Sequence, residues 1–386
     1  MRSRCAILHR AVLSPLPAAV LAILAAMLLA GCATPQSKRP EIDQARVADE
    51  VQKQQEFVTR QFLRKHNRVL KVAWPVLKAN APLCEKAQFG FGLYSDTTYT
   101  VPKALRSGYA SVLGVSERLT VVDVIEGTPA HKAGILPGDV IVGVGDEMLP
   151  EGNKAHTCYL DLLKKHIAEN GTVTLRVERN NSPLQFTVEG ERVCGYPVLF
   201  KDDQVPNAYA TGEYIVVQSG LLNIVDSDDE LAQIVSHELA HNACGHIKAK
   251  QTNQMGGLIL GGLLTILTGV DLTQSFAEIG AEAYSQSFEY EADYVGVYYT
   301  ARAGYDITYL PDTWRKFSTM APQAITTGST HPPNADRYVA LEATIKEIRT
   351  KQAAGQELLP EFKGKTATSD ETPKDATAET GKPAGQ

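Results

Sequence analysis

His237-Glu238-Leu239-Ala240-His241 decides the reading of this chain. On a helix, residues four apart share a face, so the two imidazoles can reach one metal ion while Glu238 leans toward an open coordination position. Leu231, Ile234 and Val235 recur upstream at helical spacing, and Asp228, Asp229 and Glu230 stand where a helix N-terminus favours negative charge. The motif is therefore expected on a helix. The bland alternative is two histidines on an ordinary amphipathic helix.

Catalytic zinc takes three protein ligands and a water, so a third ligand is sought downstream. An HExxHxxGxxH arrangement would need Gly at 244 and His at 247, where Cys244 and Ile247 stand, which leaves His246 a weak candidate. The apolar-periodic segment from about Ser275 to Ala303, closed by Gly304, is better placed. Within it Glu289 and Asp293 are four apart and share a face, while Glu291 points roughly 200° away. Glu289 is expected as the third ligand. Asp293 is expected to accept the distal N–H of a ligand histidine, fixing its tautomer and raising its basicity.

These residues resemble the M48 family of membrane-associated zinc peptidases, in which HExxH on one helix is joined by the Glu of an ExxxD motif on a later one. The resemblance covers about residues 195–350. It includes Asn207 to Ala210 and Gly212 to Val217, two short β runs around a Gly turn, and Ser329-Thr330-His331-Pro332-Pro333 followed by Arg337. The strand before the motif helix is implied as the edge to which an extended substrate adds. Gln286 departs from the pattern, where many relatives carry Arg. His331, before two prolines that force an extended backbone, has two implied roles: hydrogen-bonding a developing oxyanion, or reversibly plugging the fourth zinc position. A plain loop histidine is the third reading.

Arg2, Arg4 and Arg10, the apolar run Ala11–Ala30 and then Gly31-Cys32 follow the charge-then-apolar order of a secretory signal. Leu29-Ala30-Gly31-Cys32 resembles a bacterial lipobox, which implies a mature chain starting at Cys32 with acyl chains on its sulfur and amine. More than one acyl chain anchors a protein stably. Ala33 after the cysteine favours the periplasmic face of the outer membrane; an uncleaved signal anchor is the alternative. Losing residues 1–31 removes three Arg and takes the formal charge from −6 to −9. No basic face for nucleic acid is indicated.

Cys84, Cys158, Cys194 and Cys244 then remain. In an oxidising compartment four cysteines allow three connectivities. A Cys84–Cys194 bridge is favoured because it would clamp the two ends of a compact middle segment. Between those ends the run Gly127-Thr128-Pro129-Ala130, Ala133-Gly134-Ile135 and Pro137-Gly138-Asp139-Val140-Ile141 resembles a bacterial PDZ domain. That resemblance implies a groove for a peptide C-terminus, with Leu113-Gly114-Val115 as its carboxylate loop. A helix over about Lys154–Glu169 is expected with Leu160, Leu163 and Ile167 inward, and strands 172–178 and 184–188 are expected around Asn180-Asn181. Phe89 to Leu93 has no reading of its own.

The expected fold class is α+β: a mostly helical gluzincin-type metallopeptidase domain with a small β edge, plus a β-rich PDZ domain. The expected layout is a signal peptide at 1–31, a tether at 32–40, a helical segment at 41–83 packing on the peptidase domain, the PDZ domain at 108–190, the peptidase domain at 195–360 and a disordered tail at 364–386. Met255–Val270 is Gly-rich and apolar but shorter than the roughly twenty residues of a spanning helix, so a buried helix pair or a surface that meets lipid or unfolded chains is expected. The function these readings imply is cleavage of extended, misfolded or unassembled envelope proteins, with one Zn2+ per chain on His237, His241 and Glu289 and with Glu238 as general base and acid. The alternative is an assembly factor that binds clients with little turnover.

Overall fold

The computed structural model describes residues 37–362, apart from 39, 269–270, 272, 276–284 and 327–333. The signal segment 1–31, Cys32, His331 and the tail 364–386 lie outside the described residues. In chain order the first elements are α1 (Gln44–Ala79), β1 (Ala87–Gly90), β2 (Leu93–Asp96), α2 (Arg106–Leu113), β3 (Thr120–Val124), α3 (Pro129–Ala133), β4 (Val140–Val144), β5 (Glu147–Met148) and α4 (Ala155–His166). There follow β6 (Thr172–Arg179), β7 (Ser182–Glu189), β8 (Glu191–Cys194), β9 (Val198–Lys201), β10 (Ala208–Ala210) and β11 (Ile215–Gln218), then five helices: α5 (Asp228–Ala243), α6 (His246–Thr268), α7 (Ser285–Arg302), α8 (Asp312–Met320) and α9 (Asn334–Ala353).

Strands β2-β3-β4-β6-β7 form one sheet in that order, with β5 on β4. Its apolar face packs Val121, Ile141, Leu175 and Val177 against Tyr159 and Leu162 of α4. β6 and β7 pair from Thr172↔Glu189 to Arg179↔Ser182, and Asn180 and Asn181 turn between them with φ of 51° and 61°. That double positive φ is the I′ turn expected of an Asn-Asn pair, and it matches the right-handed twist of the strands.

Two expectations for this region are corrected. Leu113-Gly114-Val115 is not a loop leading into a free strand: Leu113 ends α2, Gly114 caps it with φ 70°, and Val115 is buried with Val101, Leu105, Tyr109 and Val122. The strand that follows, β3, is flanked by β2 and β4 and has no free edge. The terminal strands of the sheet are β2 and β7, and β2 is entered through Phe89-Gly90-Phe91-Gly92, the stretch that had no reading. The Phe91 and Gly92 carbonyls accept from the N–H groups of Ala130 and Ile125, and Gly92, at φ 72°, has no room for a Cβ beside Thr128. On α4, Leu163 packs on the core as expected, but Leu160 faces solvent and Tyr159 and Leu162 are buried, so the inward face is centred to one side of the register read in sequence.

Cys84 and Cys194 are disulfide-bonded, and Ala87 pairs with Cys194 where β1 meets β8. Val69, Leu70, Val72, Ala73, Val76 and Leu77 of α1 pack into a core shared with Ile125, Val193, Ile215, Leu239 and Tyr299. The apolar periodicity of the earlier turns is not used in this way, since Phe57 and Val58 are exposed. Asp123 accepts from Asn67 at 2.8 Å and lies 3.0 Å from His66, and Asp228 accepts from Arg68 at 2.8 Å, so α1 holds both the sheet and α5.

The second sheet has the order β10-β11-β9, antiparallel then parallel. Its free edge beside α5 is therefore β10, and β11, the strand nearest in sequence to the motif helix, is central. Helix α6 absorbs the Gly-rich run, and Met255, Ile259, Leu263 and Ile266 are exposed on it, so of the two expectations the buried helix pair is not realised and the apolar surface is the one these residues leave. No described helix is long and apolar enough to cross a membrane.

Candidate metal centre

Helix α5 starts with a capping box: Ser227 Oγ accepts from the Glu230 N–H at 3.2 Å, and the Glu230 carboxylate accepts from the N–H groups of Ser227 and Asp226. Two of the helix's orphan donor positions are satisfied, which fixes where the first turn begins and hence which face His237 and His241 occupy. That face meets α7. Leu231, Val235 and Leu239 pack with Ala292, Val295 and Tyr299, and Gly296 lets the backbones close: a Cβ there would lie 3.0 Å from His237 Cα.

The result brings the sequence candidates together. Nε2 of His237 lies 3.1 Å from Nε2 of His241, and each lies 3.4 Å from a carboxylate oxygen of Glu289. Zinc bonds of about 2.0–2.1 Å in a tetrahedral array place donor atoms about 3.3 Å apart, so the three donors already span the edges of such an array. Two imidazoles and one carboxylate are also a donor set that suits zinc. His237 and His241 are nearly enclosed, and Glu289 is 2% exposed.

Behind the donors, His237 Nδ1 lies 3.0 Å from Asp293, and Arg337 of α9 donates Nε and Nη2 to the two Asp293 oxygens, both at 2.7 Å. Arg337 is itself buried, its guanidinium carbon 3.4 Å from the Trp314 ring centroid and Nη2 3.7 Å from Glu289. Burial opposes the Asp293 charge, but Arg337 outweighs it and holds the carboxyl below the usual carboxylate range. Burial likewise works to lower His237, yet Asp293 and Glu289 carry it up to about 10. Burial pushes Glu238 up to about 7, against the pull of His237 and of the Ala210 N–H that donates to it.

Glu238 lines a cavity of about 360 Å³ together with His237, Glu289, Leu221, Ile234, Trp314 and Phe317. Pro206, Asn207 and Ala208 complete the wall, so the β10 edge opens into the same space. Asn242 secures that edge to the metal helix, accepting from the Gly212 N–H at 2.7 Å and donating to the Tyr214 carbonyl at 3.2 Å. Cys244 is the α5 C-cap and Cys158 is a second free thiol.

Sequence reasoning gave no role to Arg337, Trp314 or Ala210. Only the first had a signal, its place after His331-Pro332-Pro333. His246 does not join the donor cluster, and Glu291, read as pointing away from Glu289, lies 3.1 Å from His246.

An imidazole pair and a carboxylate from two packed helices, with a second carboxylate facing the open side, define an HExxH metal centre, and it stands beside a PDZ-type sheet. Residues 195–345 match the family described as Peptidase family M48 and residues 101–189 match the PDZ domain, so the chain carries a domain of each. It is similar to "Mitochondrial metalloendopeptidase OMA1" of Arabidopsis thaliana, at 31% identity over 39% of this chain and 32% of that protein. The Schizosaccharomyces pombe protein of the same name is 24% identical over 55% of this chain and 60% of its own length. "Beta-barrel assembly-enhancing protease" of Yersinia pestis is 28% identical over 31% of this chain and 27% of that protein. The match thus spans less than two thirds of each of these relatives.

Proposed function

We propose that this chain is a zinc-dependent endopeptidase of the bacterial cell envelope that cuts extended, misfolded or unassembled envelope proteins. The observation that carries the reading is the convergence of His237, His241 and Glu289 at 3.1–3.4 Å, with Glu238 facing the same cavity. One zinc per chain on those three residues would supply Lewis acidity, bringing the pKa of its water toward neutrality and polarising the scissile carbonyl. Glu238, oriented by the Ala210 N–H, takes the proton of the attacking water and returns it to the leaving amine. Asp293, clamped by Arg337, keeps the His237 ring in one tautomer and orientation. A substrate strand adds to β10 and lays its side chains into the apolar wall of Trp314 and Phe317.

The envelope address draws support from the lipobox-like Leu29 to Cys32 and from the similarity to beta-barrel assembly-enhancing proteases of bacteria. In this reading a lipid anchor at Cys32 holds the chain on the periplasmic face of the outer membrane. The PDZ domain takes peptide C-termini along β2, with Phe89-Gly90-Phe91-Gly92 replacing residues 113–115 as the carboxylate loop. A client-binding role with little turnover has one observation in its favour, the exposed apolar face of α6. Glu238→Gln separates the readings. It is expected to keep zinc and fold while cleavage of unfolded envelope proteins falls about 10²–10⁴-fold; unchanged cleavage would refute the mechanism, and full rescue of a deletion strain by the variant would make binding the main role.

A further inference from the structure

We infer that His246 and Glu291 form a positioning arm for the second metal ligand, His241, so that both zinc-facing imidazoles are backed by a carboxylate, one directly and one through an intervening ring. This rests on the metal reading above. His241 Nδ1 lies 3.0 Å from His246 Nδ1, and His246 Nε2 lies 3.1 Å from Glu291 Oε2. His246 is 1% exposed and stacks on Phe288 with ring centroids 4.7 Å apart and planes 19° from parallel. Phe288 and Glu291 are three apart on α7, turned away from the face that carries Glu289 and Asp293, so one helix holds the metal donor, the His237 partner and the grip on His246.

The proton count leaves one arrangement. His241 offers its Nε2 lone pair to the ion, so its proton sits on Nδ1 and needs an acceptor. Among the described residues the ring atom facing it is His246 Nδ1, which must therefore be unprotonated; the His246 proton is then on Nε2 and is donated to Glu291. Every nitrogen of the two rings is used and every donor meets an acceptor. Cys244, His246 and Glu291 also lie within reach of one another as cation donors. A second ion there would take His246 Nε2 and force its proton onto Nδ1, against the Nδ1–H of His241, so two donors would meet at 3.0 Å. The arm and a second ion exclude each other when the first site is loaded.

Four variants of the purified chain test this by zinc competition against a chromophoric chelator and by the visible spectrum of the cobalt-substituted protein. His246→Phe keeps an aromatic ring on Phe288 but removes the acceptor; its zinc affinity is expected to fall about 10–100-fold, with a shifted cobalt spectrum. His246→Asn puts an oxygen near the Nδ1 position and is expected to recover most of the loss. Glu291→Ala should fall between them and Glu291→Gln, which keeps an acceptor, should stay close to wild type. A folded His246→Phe that binds zinc as tightly as wild type, with the same cobalt spectrum, overturns the inference. So does cadmium dialysis that loads two ions per chain with a thiolate absorption lost in Cys244→Ser. A wild type that takes up no zinc fails at the earlier step and refutes the metal reading itself.

Discussion

Gly296→Ala sets two opposing effects against each other at the seam that makes the metal site. Alanine in place of a mid-helix glycine favours α7 by about 0.5–1 kcal/mol through lost backbone freedom. The new methyl, however, would lie 3.0 Å from His237 Cα and 3.1 Å from its nitrogen, both backbone atoms that cannot swing aside. Carbon atoms rest about 3.5–4.0 Å apart, so α7 must retreat from α5 by about 0.5–1 Å. Overpacking of this kind costs about 1–3 kcal/mol, which leaves a net loss of about 0–2.5 kcal/mol in the metal-free protein. Metal binding should suffer more than folding. Glu289 moves with α7 while His237 and His241 stay on α5, and zinc sites tolerate only about ±0.2 Å in their bond lengths. The expected outcome is a melting temperature within a few degrees of wild type without metal, together with a zinc affinity lower by about tenfold or more. Melting curves with and without zinc and a chelator competition read the two quantities separately. A Gly296→Ala protein that binds zinc with wild-type affinity would show that the two helices can part without separating the donors, and the account of how they are held would be wrong.

Arg337→Met strips the buried Asp293 of its bidentate partner and leaves a carboxylate uncompensated; a loss of about 3–5 kcal/mol in unfolding free energy is expected, and a variant as stable as wild type in urea would refute the clamp. The Cys84–Cys194 bond closes a separation of 110 residues, so Cys84→Ser should lower stability by up to about 5 kcal/mol and make the protein insensitive to reductant; an unchanged denaturation midpoint would count against that. Burial would raise the Glu347 carboxyl, but the hydroxyls of Tyr298 and Tyr294 hold it below its ordinary value. A depressed carboxylate contributes stability that is fully present above its unfolded pKa of about 4.3 and is lost as pH falls through the folded value. Glu347→Gln should therefore melt lower than wild type at pH 7 and converge with it in strong acid; parallel curves across that range would refute the linkage.

Much of the metal centre was legible because its spacing is local. His237 with His241 and Glu289 with Asp293 are each four apart, and helical geometry alone puts each pair on one face. The Asn180-Asn181 turn was legible for the same reason, since its two residues carry their own backbone preference. The start of the motif helix was legible from the acidic run Asp228 to Glu230, and the structure adds the Ser227–Glu230 capping box that fixes it. What sequence could not supply was which faces meet. Arg337 reaches Asp293 across 44 residues, and Gly296 matters only because His237 passes it. His246 is carried back to His241 by the break at Gly245, whose φ of 72° ends one helix and starts the next, so a spacing that excludes a shared helical face became a contact.

The PDZ region shows the same division. Its strands and Gly-Asp turns follow from alternation and turn chemistry, which each short stretch of chain encodes. Which strand has a free edge depends on hydrogen bonds between distant segments, and that is why residues 113–115, plausible as a loop by themselves, proved to be a capped helix end beside an interior strand. Sequence determined the residues capable of holding a metal, because side-chain chemistry and helical periodicity are properties of neighbouring residues. Tertiary structure alone decided their mutual distances, the buried clamp behind them and the edges open to a peptide, because these arise only when nonlocal packing brings separate helices and strands into register.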